Sequence, residues 1–431
     1  MNTYNKFLPM VLLLLFLTSC HTNQNNITDV EDYNLYLNSK ENTTKQKATE
    51  ELNFWEEKLE KEPSQYPYLA KIASAQSQMF QTTGNIDYLI DAEKSLVQVN
   101  EHTNYKQSGY LRALARNYIS QHKFKEALEI LKKAETNGDN LKGSQKMLFD
   151  VYLELGNIDS AKDYLYKIKD VSDFDYLIRL SKWSDYQGDL QSAIKYMEQA
   201  MAISVASNVS GFMQWTYTNI ADFYGHNGQI EKSYDYYLKA LALNPDDAYA
   251  KKGIAWIVYS YEKNADEALR ILNSISENYQ APDYYLLKAE IAEYQNNFEA
   301  KEENLNAYFK AVANTKYGNM YNKHNAILYA EELQKLDEAL QIAQTEINNR
   351  PTPQSYDLLA WTYYHRGNYI NALLIAEEHV ANKTFEPETL YHLAKIYKAN
   401  GKLSEAESLK MELLESTFEL GPVMERDIKK I

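Results

Sequence analysis

Residues 353–414, PQSYDLLAWTYYHRGNYINALLIAEEHVANKTFEPETLYHLAKIYKANGKLSEAESLKMELL, carry one pattern twice. Leu359-Ala360, Tyr363, Gly367, Tyr369 and Ala372 recur as Leu393-Ala394, Tyr397, Gly401, Leu403 and Ala406, an offset of 34 residues. Each copy reads as a helix, a turn at the glycine and a second helix. Two short helices cannot bury their apolar faces alone, so a unit repeated at this period predicts a stacked helical solenoid.

The pattern extends towards the N-terminus. Gly211 to Asp246 holds Tyr217, Ile220-Ala221, Tyr224, Gly228, Ile230, Tyr237, Ala240 and a closing Pro245. Residues 107–137 hold Leu114-Ala115, Tyr118, Phe124, Ala127 and Leu131. Units around Gly156 and Gly188 follow, and one from Ser64 carries Leu69, Ile72, Ala73, Gly84, Ala92 and Leu96. The copy after Pro282 is the weakest: Lys301 stands where a small residue is expected, and a longer connection follows near Asn314 to Asn319. Alanine at the helix crossing lets two axes approach, and Tyr and Leu a turn away fill the groove between them. Pro245, Pro351 and Pro387 fall between units, where a helix stops or starts.

In these positions residues 64–420 resemble tetratricopeptide-repeat proteins. The resemblance implies an all-α fold, a right-handed α–α superhelix of about ten helix pairs. Leu52, Trp55 and Leu59 mark a capping helix over 45–63. The last helix, Glu405 to about Leu420, is expected to cap the other end, with residues 421–431 as a charged tail after Gly421-Pro422.

The first nineteen residues read differently. Lys6 precedes an apolar run, Phe7 to Leu17, that is too short to span a bilayer as a stable anchor and reads as an export signal. Leu17-Thr18-Ser19-Cys20 resembles the lipobox of bacterial lipoproteins, which implies cleavage before Cys20 and acylation of its thiol and new amino group. Several acyl chains exceed what stable anchoring needs. Cys20 is the single cysteine of 431 residues, so no disulfide forms within the monomer. His21 stands where that family carries Asp for inner-membrane retention, which favours the outer membrane. Acidic residues come no nearer than Asp29, Glu31 and Asp32, so the periplasmic side is preferred to the cell surface. Residues 20–44, polar and rich in Asn, are expected to be a tether, with a little local helix near Tyr33 to Leu37.

Composition excludes several classes. Forty-five per cent hydrophobic residues suffice for a core, while 14 Gly and 9 Pro are too few for a turn-rich β fold. A net charge of −15 argues against a general nucleic-acid binder. The eight histidines form no HExxH motif and no cysteine follows Cys20, so no zinc site is indicated. Phosphate-binding and nucleophile-elbow motifs are lacking. The chain is read as a non-enzyme without cofactors.

In the resembled family the first helix of each unit lines the concave wall. That register places Arg112, Arg116, Lys146, Lys182, Trp215, Asp222, Trp256, Tyr259, Trp361 and Tyr364 there as candidate partner contacts. The groove should be more basic in the front half and more aromatic in the back, and both kinds of residue are enriched at binding hot spots. Arg112 and Arg116, one turn apart, form a candidate anion clamp; Trp256 and Trp361 can equally fill the space between units. The expected function is a scaffold for protein partners in a bacterial envelope. An envelope hydrolase with a site on the groove and a peptide- or glycan-binding lipoprotein stay open.

Overall fold

The computed structural model of the protein describes residues 26–38, 42–276 and 278–431. Cys20 and the stretch read as an export signal lie outside the described residues. Those described form 23 α-helices, without strands among them.

Two helices, α1 (Val30–Leu37) and α2 (Thr43–Lys61), precede ten pairs. The pairs begin with α3 (Pro67–Thr83) and α4 (Ile86–His102), then α5 (Ser108–Ser120) and α6 (Phe124–Asn137). Next come α7 (Leu141–Glu154) and α8 (Ile158–Lys167), then α9 (Phe174–Tyr186) and α10 (Leu190–Ser207). The fifth pair is α11 (Ser210–His226) and α12 (Ile230–Leu243). In the sixth, α13 (Ala248–Trp256) continues into a π-turn (Ile257–Tyr261) before α14 (Ala265–Ser276). The seventh and eighth are α15 (Asp283–Tyr294) with α16 (Phe298–Val312), and α17 (Asn322–Glu331) with α18 (Leu336–Asn349). The last two are α19 (Pro353–His365) with α20 (Tyr369–His379), and α21 (Pro387–Ala399) with α22 (Leu403–Glu415); α23 (Thr417–Ile428) ends the chain.

The turn inside a pair is chemically simple. Gly156 and Gly367 adopt the left-handed conformation, φ +70° and +72°, that ends the first helix without a Cβ clash. The next residue, Asn157 or Asn368, then caps the second helix by accepting its exposed N–H at Ser160 or Asn371. The crossing alanines, among them Ala115, Ala127, Ala221, Ala240, Ala255, Ala268, Ala360 and Ala394, are fully buried. First helices of neighbouring pairs touch each other along the stack, at α5–α7, α7–α9, α17–α19 and α19–α21, which puts them on the inner side of the bend.

The superhelix winds tightly enough that its second turn rests on its first. The Gln280 N–H donates to Thr83 O (2.8 Å). Lys125 Nζ donates to Asn348 O (2.5 Å) and Arg350 Nη1 lies 3.4 Å from Glu154, across 223 and 196 residues of sequence. The Phe385 ring covers Gly188, where a Cβ would strike it. The long connection after α16 ties the two turns together: Tyr317 is buried against Ile86 and Leu89, and Lys316 pairs with Asp87 at 2.6 Å.

Both ends depart from the sequence expectation. The tether gives way to docked chain by Ile27: the Ile27 and Thr28 amides and the Thr28 hydroxyl donate to Glu262 at 2.7–2.9 Å. Tyr33, 1% exposed, donates its hydroxyl to Glu267 (2.7 Å) and seats α1 on the second helices α12 and α14. A single buried aromatic with a half-buried carboxylate partner thus outweighs the polar composition around it. At the other end, residues 421–431 are no free tail. The last pair stops at Glu415, and α23 runs on to Ile428 through a non-helical Gly421 (φ 80°, ψ 166°). Apolar side chains spaced through the charged segment (Leu420, Val423, Met424, Ile428) give it a face to bury; Leu420 and Ile428 are buried.

Candidate functional site: the concave face

In the front half most basic residues of the concave register are committed to carboxylates and carbonyls of a neighbouring unit. Arg112 donates to Asp139 O (2.8 Å), Asn140 O (3.4 Å) and Ser144 Oγ (3.2 Å). Arg116 is exposed and makes no such bond among the described residues, so Arg112 alone is engaged. Lys146, only 12% exposed, bridges Asp173 and Asp175, both at 2.9 Å. Arg179 meets Asp150 at 2.6 Å, and Lys182 meets Glu154 at 2.9 Å. Each bond staples one pair to the next. Trp215 keeps the exposed place expected of it, with its edge towards Phe174 at 6.2 Å.

Further along, the aromatic register residues turn mostly inward. Tyr259 is fully buried, which removes it from the contact surface, and donates to Glu290 (3.0 Å). Asp222 accepts from Tyr237 and from Tyr249 (2.6 Å), and burial raises its pKa. Trp256 donates its indole N–H to Phe418 O (3.0 Å) in α23. Trp361, 3% exposed, lies between two parallel rings, Tyr364 at 4.7 Å and His392 at 4.0 Å, and donates to Glu331 (2.8 Å). Trp361 thus fills space between units and also borders the cavity described next, whereas Trp256 packs against α23.

That cavity, about 510 Å³, is lined by α15, α16, α17, α19, α21 and α23. Its size suits a small molecule or a few peptide side chains. Six carboxylates line it (Glu290, Glu293, Glu331, Glu332, Glu388 and Asp427) against two lysines, Lys301 and Lys395. Lys301 neutralises Glu293 (2.8 Å) and Glu332 (2.7 Å), and Lys323 pairs with Glu388 (2.5 Å). Lys395 stands over the Tyr391 ring, 5.9 Å from its centre. Among the described residues, Glu290 and Glu331 receive only neutral donors, Tyr259 and Trp361. Burial accordingly pushes Glu290 up to about 7 and raises Glu331 as well. His365 is held down at about 4 by burial, with help from His392 and Lys395, so it adds no positive charge at neutral pH.

Behind the cavity, buried His392 and Asp357 share a hydrogen bond of 2.7 Å. Burial disfavours the imidazolium, but Asp357, Glu388 and Glu331 outweigh it and raise the His392 pKa. Sequence register located Trp361 and Tyr364. It did not find Glu290, Glu331 or His392, because carboxylates and histidines on helices most often face solvent and nothing in the period distinguishes these.

The tetratricopeptide-repeat family model matches residues 216–247, the turn and second helix of the fifth pair with most of its first helix. Residues 216–247 carry a tetratricopeptide repeat. The other pairs repeat that architecture with less of the motif. No curated protein matches the sequence. Among solved structures, a tetratricopeptide repeat protein from Parabacteroides merdae is similar at 15% identity, over 57% of this chain and 93% of that one, with a TM-score of 0.39. Yeast Tom70 is similar at 15% identity, over 90% and 93%, with a TM-score of 0.35.

Proposed function

We propose that this repeat protein is a non-enzymatic scaffold that binds a protein partner along the back half of its concave face, in the cell envelope. The observation that supports this reading most directly is the cavity among α15, α17, α19 and α21. It offers two carboxylates without a lysine or arginine partner beside aromatic rings, whereas Lys146, Arg179 and Lys182 are paired in the front half. The lipobox-like stretch ending at Cys20 supports anchoring by lipid, in the outer membrane and facing the periplasm. With Ile27 held on the outer side by Glu262, seven residues of chain reach at most about 25 Å. The side carrying α1 would therefore lie against the bilayer and the concave face would open away from it. Among the described residues no helix is long and apolar enough to cross a membrane, so in this reading the lipid is the anchor.

The test uses the full chain in membranes. Lipidated protein should fractionate with the outer membrane and Cys20→Ser protein should not. Affinity purification should recover a partner with wild type and lose it with Glu290→Lys/Glu331→Lys, with helical circular dichroism unchanged. Equal recovery by both proteins would move the binding surface elsewhere; recovery of nothing by either would sink the scaffold reading.

A further inference from the structure

A C-terminal capping helix need only cover the last pair. Helix α23 leaves α22 and crosses the inner face instead, touching α11, the π-turn after α13, α15 and α21. Its contacts reach back 158 to 162 residues: Trp256 Nε1–H and Ser260 Oγ–H both donate to Phe418 O, at 3.0 and 2.6 Å, and Lys263 pairs with Glu425 at 3.0 Å. The Phe418 ring sits on Gly225, where a Cβ would meet it at 2.8 Å. Gly421 is as specific: a Cβ there would meet Glu290 at 2.6 Å and Trp256 at 3.0 Å. The π-turn Ile257–Tyr261 lies where the Phe418 carbonyl is received, and such turns recur at functional sites. All four segments it crosses belong to the first, inner helices of their pairs, so α23 occupies the surface that a bound helix would use.

As an occupant it is incomplete. Leu420, Val423 and Met424 roof the cavity but leave about 510 Å³ empty. Asp427 brings a further negative charge to an acidic lining, and it is met by Lys430 of its own C-terminal segment (2.6 Å). Glu290 and Glu331 gain no cation from α23. A segment with the same apolar spacing and basic side chains in place of Met424 and Asp427 would keep the Phe418-like anchor and bring positive charge to the lining that holds Glu290 and Glu331.

We propose that α23 is a displaceable occupant of the concave face, holding the place of an amphipathic helical segment of a partner that carries basic residues. The inference rests on the reading of this face as the partner surface. Partner and α23 then compete, so apparent affinity is reduced in proportion to the fraction of molecules in which α23 is undocked.

The experiment uses the full chain and two labelled peptides: residues 416–431 as they stand, and the same peptide with Met424→Lys and Asp427→Lys. Receptors are wild type, Phe418→Asp, the milder Phe418→Ala and, on the receiving side, Lys263→Glu. Hydrogen exchange should rise over 417–428 in the three variants and stay low in α11, α13 and α15. The basic peptide should bind Phe418→Asp about tenfold or more tightly than wild type, and more tightly than the unmodified peptide. If exchange also rises through α11, α13 and α15 even in Phe418→Ala, α23 is a structural core element and the proposal fails. Equal binding to wild type and released variants overturns displacement, and no preference for the basic peptide overturns the partner chemistry. An envelope partner still captured while both peptides fail would sink this inference and leave the scaffold reading standing; failure to capture any partner strikes the reading itself.

Discussion

The second to fourth pairs and the seventh to tenth pairs share one architecture and use charge in opposite ways. In the front, Lys146, Arg179 and Lys182 each close on a carboxylate of a neighbouring pair. In the back, Glu290 and Glu331 face a cavity with only neutral donors. A repeat stack needs some device at every interface to fix the stagger of its units. The front uses ion pairs for it. The back combines ion pairs such as Lys301 with Glu332 and Lys323 with Glu388 with stacked rings, Trp361 being clamped between Tyr364 and His392, and it leaves Glu290 and Glu331 with neutral donors. The same fold therefore contains a stretch built mainly for stability and one that keeps unsatisfied chemistry on display.

Core truncation tests the first half of that comparison with the largest effect. Phe149 is fully buried in α7, with its edge towards Trp183 at 6.5 Å. Phe149→Ala should lower unfolding free energy by about 3–5 kcal/mol in urea titration. Because stability in a solenoid passes between neighbours, exchange protection should fall through α5 to α10 and much less at α19 to α22. Uniform loss along the chain would contradict the division drawn here. In the back half Asp357→Ala should reach a similar size, about 3–5 kcal/mol, since it strands buried His392. Replacing both by apolar residues, Asp357→Leu with His392→Leu, should be milder than the single change.

Next in size is the response to pH, where Glu154 in the front and Glu290 in the back should contribute with opposite sign. Burial pushes the Glu154 carboxyl up, but Lys182 and Arg350 outweigh it, and the net shift is down. Asp173 is likewise held down, by Lys146 and the Tyr176 amide against its burial. Groups of this kind stabilise the fold above their unfolded pKa, and that stability is lost as pH falls through the folded value. Glu290, raised to about 7, and His392, also raised, behave inversely. The folded chain keeps protons that the unfolded chain has released, so stability declines as pH rises from about 4.5 through 7 for Glu290, and above about 6.5 for His392. His365, held down at about 4, opposes this decline, because at pH 5 the unfolded imidazole binds a proton that the folded one does not, so the Glu290 share is read against Glu290→Gln: from pH 5 to pH 8 hydrogen exchange should show wild type losing on the order of 1–3 kcal/mol more protection at α15 than the variant. Glu290→Gln should flatten the decline; an unchanged slope would remove Glu290 from the account.

Local rules were legible in the sequence. Ala360 and Ala394, Gly367 and Gly401, and the interrupting prolines report contacts within one pair or between neighbours, so a 34-residue offset carries them. What the sequence did not disclose depends on winding. Tyr317 on Ile86, Lys125 on Asn348 and Phe385 on Gly188 join residues a full superhelical turn apart, and no period encodes how tightly the stack coils. The fate of the two ends follows from that same closure. Once the coil is tight, Tyr33 finds Glu267 outside and Phe418 finds Gly225 inside. Gly421-Pro422 reads as a stop because such pairs usually end helices. Here the glycine supplies a kink, with φ 80°, and the proline resumes the helix beyond it. Tyr259 and Trp361 show the matching limit on the concave register: it states which way a position faces, and neighbour packing decides whether solvent reaches it.

The smallest predicted effect concerns the two arginines that spacing had paired. Arg112 and Arg116 are one turn apart, and a clamp would require both guanidinium groups to be available. Arg112 donates to two carbonyls and a hydroxyl at the start of the next pair, so Arg112→Ala should cost about 1–2 kcal/mol through lost charge-assisted bonds, discounted for exposure. Arg116 is exposed and touches none of those groups, so Arg116→Ala should stay within about 0.5 kcal/mol. Urea titration of the two single variants and the double variant decides the matter. If the front half is a self-satisfied stack, the double variant equals Arg112→Ala within error, and sulfate or phosphate does not stabilise wild type over it. A wild-type protein that gains stability with phosphate, and loses the gain only when both arginines are removed, would place an anion site in the front half and undo the contrast between the two ends of the groove.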